Sequence, residues 1–222
     1  MTLRSPFFFH YSLVLAAAAV GGFLLNGLLR TEHLPPASPL LVLHGLLMLG
    51  WFGALVVQTR LVGAGRTSLH RRLGIWSVLL AAGTVAAAGV VAVGAYEPGD
   101  EGSMILPNAA MLLAYSSFYA LGLRARRRDL QAHKRWMVLA GAAMLGPSLG
   151  RIVLVLGAPG ALVLPLWLGM LAPMWVHDVR RVGRVHRVTV IGSACIVGSV
   201  AVASALSTME PVRSLLGYIL GG

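Results

Sequence analysis

RTSLHRRLG, Arg66 to Gly74, is a short basic stretch with a histidine at its centre, set between a hydrophobic run that has just ended and one about to begin. Two later stretches repeat the pattern, RRRDLQAHKRWM from Arg126 to Met137 and RRVGRVHRV from Arg180 to Val188. Each reads as the polar bottom of a helical hairpin, so the runs between them decide what the hairpins cross.

Runs of about 20 apolar residues span a bilayer core at ~1.5 Å per residue, and seven such runs occur, at about 8–29, 39–60, 71–96, 104–124, 133–156, 160–180 and 187–206. A composition 57% hydrophobic and 11% charged agrees with a membrane chain. The runs are too long, too rich in Ala, Leu and Gly and too free of alternation for a membrane β-barrel. The expected fold is therefore an all-α, integral membrane seven-helix bundle forming a single transmembrane domain over residues 1–222. Arg4 and the small residues Ala16 to Ala19 would suit a cleaved signal peptide, but the first run is long and is read as a retained helix.

Charge sets the expected orientation. Arg60, Arg66, Arg71 and Arg72 follow the second run, Arg124, Arg126, Arg127, Arg128, Lys134 and Arg135 the fourth, and Arg180, Arg181, Arg184 and Arg187 the sixth. The opposite loops hold Glu32, Glu97, Asp100 and Glu101 against Arg30. The positive-inside rule then places the amino terminus and the three histidine hairpins in the cytoplasm and the carboxyl terminus outside. A net charge of +11 and a pI near 11.4 suggest nucleic acid at first sight. Nearly all the excess lies at helix ends, so the partners it implies are the lipid bilayer and anionic headgroups, with no nucleic acid.

Several local features carry expectations. Thr67 or Ser68 is available to cap the third helix, whose Gly83, Gly89, Gly94 and many alanines suggest a tightly packed internal helix. Pro147, in GPSLGR, should kink the fifth. The tail 207–222 has Val212, Leu215, Leu216 and Ile219 at helical spacing and should lie along the membrane surface.

No soluble-enzyme motif is present: no HExxH, CxxC, GxSxG or phosphate-binding glycine loop, so no catalytic residue is named. His10, His70, His133, His177, Asp178 and His186 share the basic side, but their spacing is that of no metal motif, and no metal site is assigned. Two candidate sites remain. His70 and His133 enter their helices on the same side beside Arg71, Arg72, Lys134 and Arg135. That is the arrangement of a bis-histidine haem b with cations for its propionates, or of residues contacting lipid phosphate. Asn26, His44, Asn108 and Arg151 fall near the other ends of the first, second, fourth and fifth helices and would line one polar ligand pocket if those helices adjoin. Arg151 alone reads as an interfacial anchor or a partner for Glu97, Asp100 or Glu101.

The combination of His44, Gly45 and Gln58, then HRRLG at His70, then HKRWM at His133 with Arg151 downstream, resembles an uncharacterised family of bacterial multi-pass membrane proteins without assigned activity. More distantly it is similar to the transmembrane b-type cytochromes, whose four histidines on four consecutive helices hold two haems. The resemblance covers the second to fifth helices. It implies a bacterial inner (cytoplasmic) membrane, and matches His44, His70 and His133 to three of the four ligand positions. The fourth helix offers Asn108, Tyr115 and Tyr119 but no histidine, which leaves one haem, between His70 and His133. Three functions are carried forward: an accessory or structural subunit of a larger membrane complex, a haem-b or quinone-linked electron-transfer protein, and a small-molecule or lipid carrier.

Overall fold

The computed structural model describes residues 6–33, 36–97 and 104–220. Arg4, Asp100, Glu101 and most of the acidic loop from Tyr96 to Ser103 lie outside them. The helices are α1 (Pro6–Leu29), α2 (Pro39–Gly63), α3 (Thr67–Gly94), α4 (Ile105–Ala125), α5 (Leu130–Ala143), α6 (Gly146–Val155), α7 (Val163–Val182), α8 (Arg187–Ser207) and α9 (Glu210–Leu220). No strand occurs among the described residues. Six helices, α1 to α4, α7 and α8, are long and apolar enough to cross a membrane, and α5 with α6 makes a seventh span bent by 42°. The protein is an all-helical, multi-pass membrane bundle. Its three histidine hairpins gather at one end, here termed the basic end.

The bend has a local cause. Pro147 has no amide to offer the carbonyl of Ala143, four residues back, and its ring would collide with that group. The helix therefore opens at Met144 and Leu145, and Pro147 starts α6, where a missing amide costs nothing. Trp167 on α7 donates its Nε1–H to the Ala142 carbonyl at 2.8 Å, supplying a partner beside the break.

The interior belongs to α5, not α3. Ala132, Arg135, Trp136 and every residue from Val138 to Ala143 are buried. On α3 only Ala81, Thr84, Ala87 and Ala88 are buried, while Ile75, Trp76, Leu79 and Val90 are exposed. The small residues of α3 do not make it internal, because a Cβ added at Gly89 or Gly94 would meet nothing within 4 Å. Close approach is needed elsewhere: a Cβ at Gly22 on α1 would strike Ser148 of α6, whose hydroxyl donates to the carbonyls of Ala18 (2.5 Å) and Ala19 (3.0 Å).

Capping also differs from expectation. Neither Thr67 nor Ser68 caps α3; Arg66 holds that position with no side-chain bond to the helix. Asp129 caps α5, accepting from the amides of Gln131 and Ala132, both at 2.9 Å. Those bonds, Ala132's first, hold the Asp129 carboxyl below the usual carboxylate range. His186 caps α8 through Nδ1, which accepts from the Val188 amide at 3.2 Å.

Candidate functional site

Three helices carry polar or aromatic residues at a seven-residue spacing: His44, Trp51 and Gln58 on α2, His70, Ser77 and Thr84 on α3, and Asn108 and Tyr115 on α4, with Gly122 at the next step. Seven residues make nearly two helical turns, so each set lies along one face. These faces meet in the bundle. Trp51 stands edge-on to Tyr115 and Tyr119, with ring centres 4.9 and 5.4 Å apart. Ser77 shares a 2.8 Å hydrogen bond with the Tyr119 hydroxyl.

At the basic end this seam closes on the two expected histidines. His70 and His133 face each other with ring centres 6.4 Å apart and planes at 79°. Both are partly buried, about one turn inside α3 and α5. The expected third span was taken to start after His70; α3 in fact starts at Thr67, which draws the ring into the bundle. His133 Nδ1 lies 2.8 Å from the Gly122 carbonyl. Since a carbonyl only accepts, Nδ1 carries the ring proton and Nε2 keeps its lone pair. Gly122 suits this approach, for a side chain there would crowd Met137 at 3.0 Å.

His70 is held by Gln58. With the amide turned to satisfy both ends, Gln58 Nε2 donates to the His70 carbonyl (3.1 Å) and to its Nδ1, while Oε1 accepts from the Gly74 amide (3.1 Å). Gln58 thereby sets the His70 tautomer. An amide N–H toward Nδ1 puts the ring proton on Nε2, and an amide oxygen toward it frees Nε2.

The four neighbouring cations part company. Arg71 and Arg72 are exposed on the second turn of α3. Lys134 sets its ammonium 4.6 Å from the centre of the Phe8 ring. Arg135, expected beside a propionate or lipid phosphate, is fully buried and turned to the other side of α5, where it pairs with the equally buried Asp178. Its Nε and Nη2 donate to Asp178, and its Nη1 donates to the Gln131 carbonyl (2.9 Å) and Oε1 (3.1 Å). Asp178 accepts further from Thr189 Oγ1 and from the His186 amide at 3.1 Å. His177 stacks on Phe7 at 3.9 Å, so the basic-side histidines do not converge. No group of three or more metal-ligating side chains occurs among the described residues.

At the opposite end His44 and Arg151 come within electrostatic range of each other. Arg151 lies over the Phe23 ring at 4.2 Å and donates to the Pro147 carbonyl at 3.0 Å. It forms no ion pair with Glu97. Asn26 lies one turn beyond Phe23 on α1, and no side-chain bond joins it or Asn108 to this pair among the described residues.

Sequence reasoning missed Trp51, Ser77, Thr84 and Tyr115 as one seam, and missed Asp178 as the partner of Arg135. The seven-residue spacing could have found the seam. Three buried atoms along it have no hydrogen-bond partner: His44 Nδ1, Trp51 Nε1 and the Tyr115 hydroxyl. Compared with protein-family models, curated proteins and solved structures, the chain finds no match in any of them.

Proposed function

We propose that the protein is a membrane b-type haem protein that transfers electrons, with His70 and His133 as the residues that would hold the haem. The observation that carries this reading is their apposition. Two imidazole–metal bonds of about 2 Å, with about 1.1 Å from each ring centre to its nitrogen, require centres about 6 Å apart, and the rings stand at 6.4 Å. Held by these two residues, a haem would supply one-electron chemistry.

The chain's own residues fit the group. Gly122 holds the His133 proton on Nδ1, the outer-shell arrangement of a ligating imidazole. Gln58 as placed donates to Nδ1 and keeps the His70 proton on Nε2, so His70 would hold the group only once that proton has left. Arg71 and Arg72 remain free to meet propionates; Arg135 does not. The resemblance to b-type cytochromes supports the same pair. An accessory-subunit reading has no residue of its own in this bundle, whereas the haem reading has two.

The test is the visible spectrum of protein made with added haem precursor, oxidised and then reduced by dithionite. A sharp reduced band, lost in His70→Ala and in His133→Ala, supports the assignment. A flat spectrum from folded protein overturns it.

A further inference from the structure

Two arginines stand over the contact between α1 and α6 at the end opposite the basic hairpins. Arg151 lies against Phe23 and spends one donor on the Pro147 carbonyl. Arg30 follows Phe23 by seven residues, on the same side of α1, and reaches the Leu154 carbonyl at 3.4 Å. On α2 the His44 Nδ1 is also buried and unpartnered. No carboxylate lies within ion-pair distance of either arginine among the described residues.

Each guanidinium carries five donors in a planar fork, and each shows a single protein acceptor here. Arg151 lies inside a span, where an arginine is costly and is normally paired, as the buried Arg135 is with Asp178. Depth adds a second argument. His44 lies about 28 Å along α2 from its basic end, close to the ~30 Å thickness of a bilayer core. An anion at the membrane surface can therefore reach this cluster.

We propose that Arg151 and Arg30 form a binding site for an oxyanion, a phosphate or carboxylate, carried either by a lipid headgroup or by a soluble molecule. A planar fork takes two oxygens of such a group at once, and a second arginine offsets its charge. The site is separate from His70 and His133 and does not depend on haem.

The experiment uses the full chain in a maltoside detergent, which has neither phosphate nor carboxylate. Unfolding temperature is followed during titration with dioctanoyl phosphatidylglycerol or with inorganic phosphate, against sodium chloride at equal ionic strength. Stabilisation by inorganic phosphate assigns a soluble anion, and stabilisation by the lipid alone assigns a headgroup. Arg151→Gln should weaken the response about tenfold, the loss of one charge-assisted pair, with Arg151→Lys in between and Arg30→Gln milder. If Arg151→Gln is not recovered folded, Arg30→Gln carries the comparison. The proposal is overturned if neither anion stabilises beyond the chloride control, or if the variants respond like the native chain.

Discussion

His133 and Arg135 are two residues apart on α5, so they leave the helix on roughly opposite sides, and the two sides are built on different principles. Arg135 faces α7 and α8, where Asp178, Gln131, Thr189 and the His186 amide satisfy it and its partner. His133 faces α3 and α4, where His70 stands 6.4 Å away and unpartnered donors follow along the seam. A buried polar group with every bond made is part of the framework. A buried polar group left short costs stability and has to be held in place by the rest of the fold. On the reading proposed above, one face of α5 is framework and the other is the site.

The sharpest way to break that division is Asp178→Ala. It would leave the Arg135 guanidinium buried without its counter-charge, a loss of about 3–5 kcal/mol, read as a large fall in unfolding temperature in detergent. Replacing both partners, Arg135→Met with Asp178→Leu, should recover most of it. His133→Ala, on the functional face, should move stability far less than Asp178→Ala. Equal losses from the two single variants would erase the distinction.

A second prediction concerns the functional face alone. Gln58→Leu removes the amide that donates to His70 Nδ1 and holds the ring proton on Nε2. Losing an outer partner changes metal ligation about 10- to 100-fold, and on the proposed reading the change here should be toward tighter haem binding. Haem titration of the folded protein would show it, with the unfolding temperature of the haem-free form little changed. An unaltered affinity would mean that Gln58 serves only to bridge His70 and Gly74 in α3.

How much of this was legible beforehand follows the same line. The spans, the hairpins and the shared side of His70 and His133 came from periodicity and parity, which are local properties of the chain. Arg135 and Asp178 are 43 residues apart, and nothing local distinguishes a buried arginine from its neighbours Lys134 and Arg128 in a basic loop. Burial there depends on the packing of α7 and α8 against α5, and only the fold supplies that. The internal role given to α3 failed for a related reason: small residues permit close packing but do not say which helix will use it. Asn26 and Asn108 had the right depth, but depth does not bring side chains together.

A third prediction tests the framework at a helix end. Asp129→Ala should cost about 1 kcal/mol by freeing two amides of the first turn of α5. Because the carboxyl is held below its usual range, its contribution is complete above the ordinary aspartate pKa. It is lost as pH falls through the lowered, folded-state value. His186 adds to the same acid sensitivity. Burial, with Arg135 second, holds its pKa below the ordinary histidine value, and protonating Nδ1 ends its bond from the Val188 amide. Unfolding temperatures measured from neutral to acid pH should therefore fall less steeply in Asp129→Ala than in the native chain. Parallel curves would remove the cap from the account.

The smallest expected effect is the most discriminating. Tyr115 is fully buried, and its hydroxyl has Thr84 nearby but makes no well-formed hydrogen bond. Its neighbour Tyr119 is bonded to Ser77 at 2.8 Å. Removing a bonded buried hydroxyl strands its partner and costs about 1 kcal/mol, whereas removing an unbonded one relieves a desolvation penalty. Tyr115→Phe should thus leave stability unchanged or raise it slightly, while Tyr119→Phe lowers it. The ring contacts with Trp51 persist in both, so the difference isolates the hydroxyl. If Tyr115→Phe proves as costly as Tyr119→Phe, the hydroxyl has a partner in the membrane, and the seam between the two ends of the bundle is a satisfied network like that of Arg135 and Asp178.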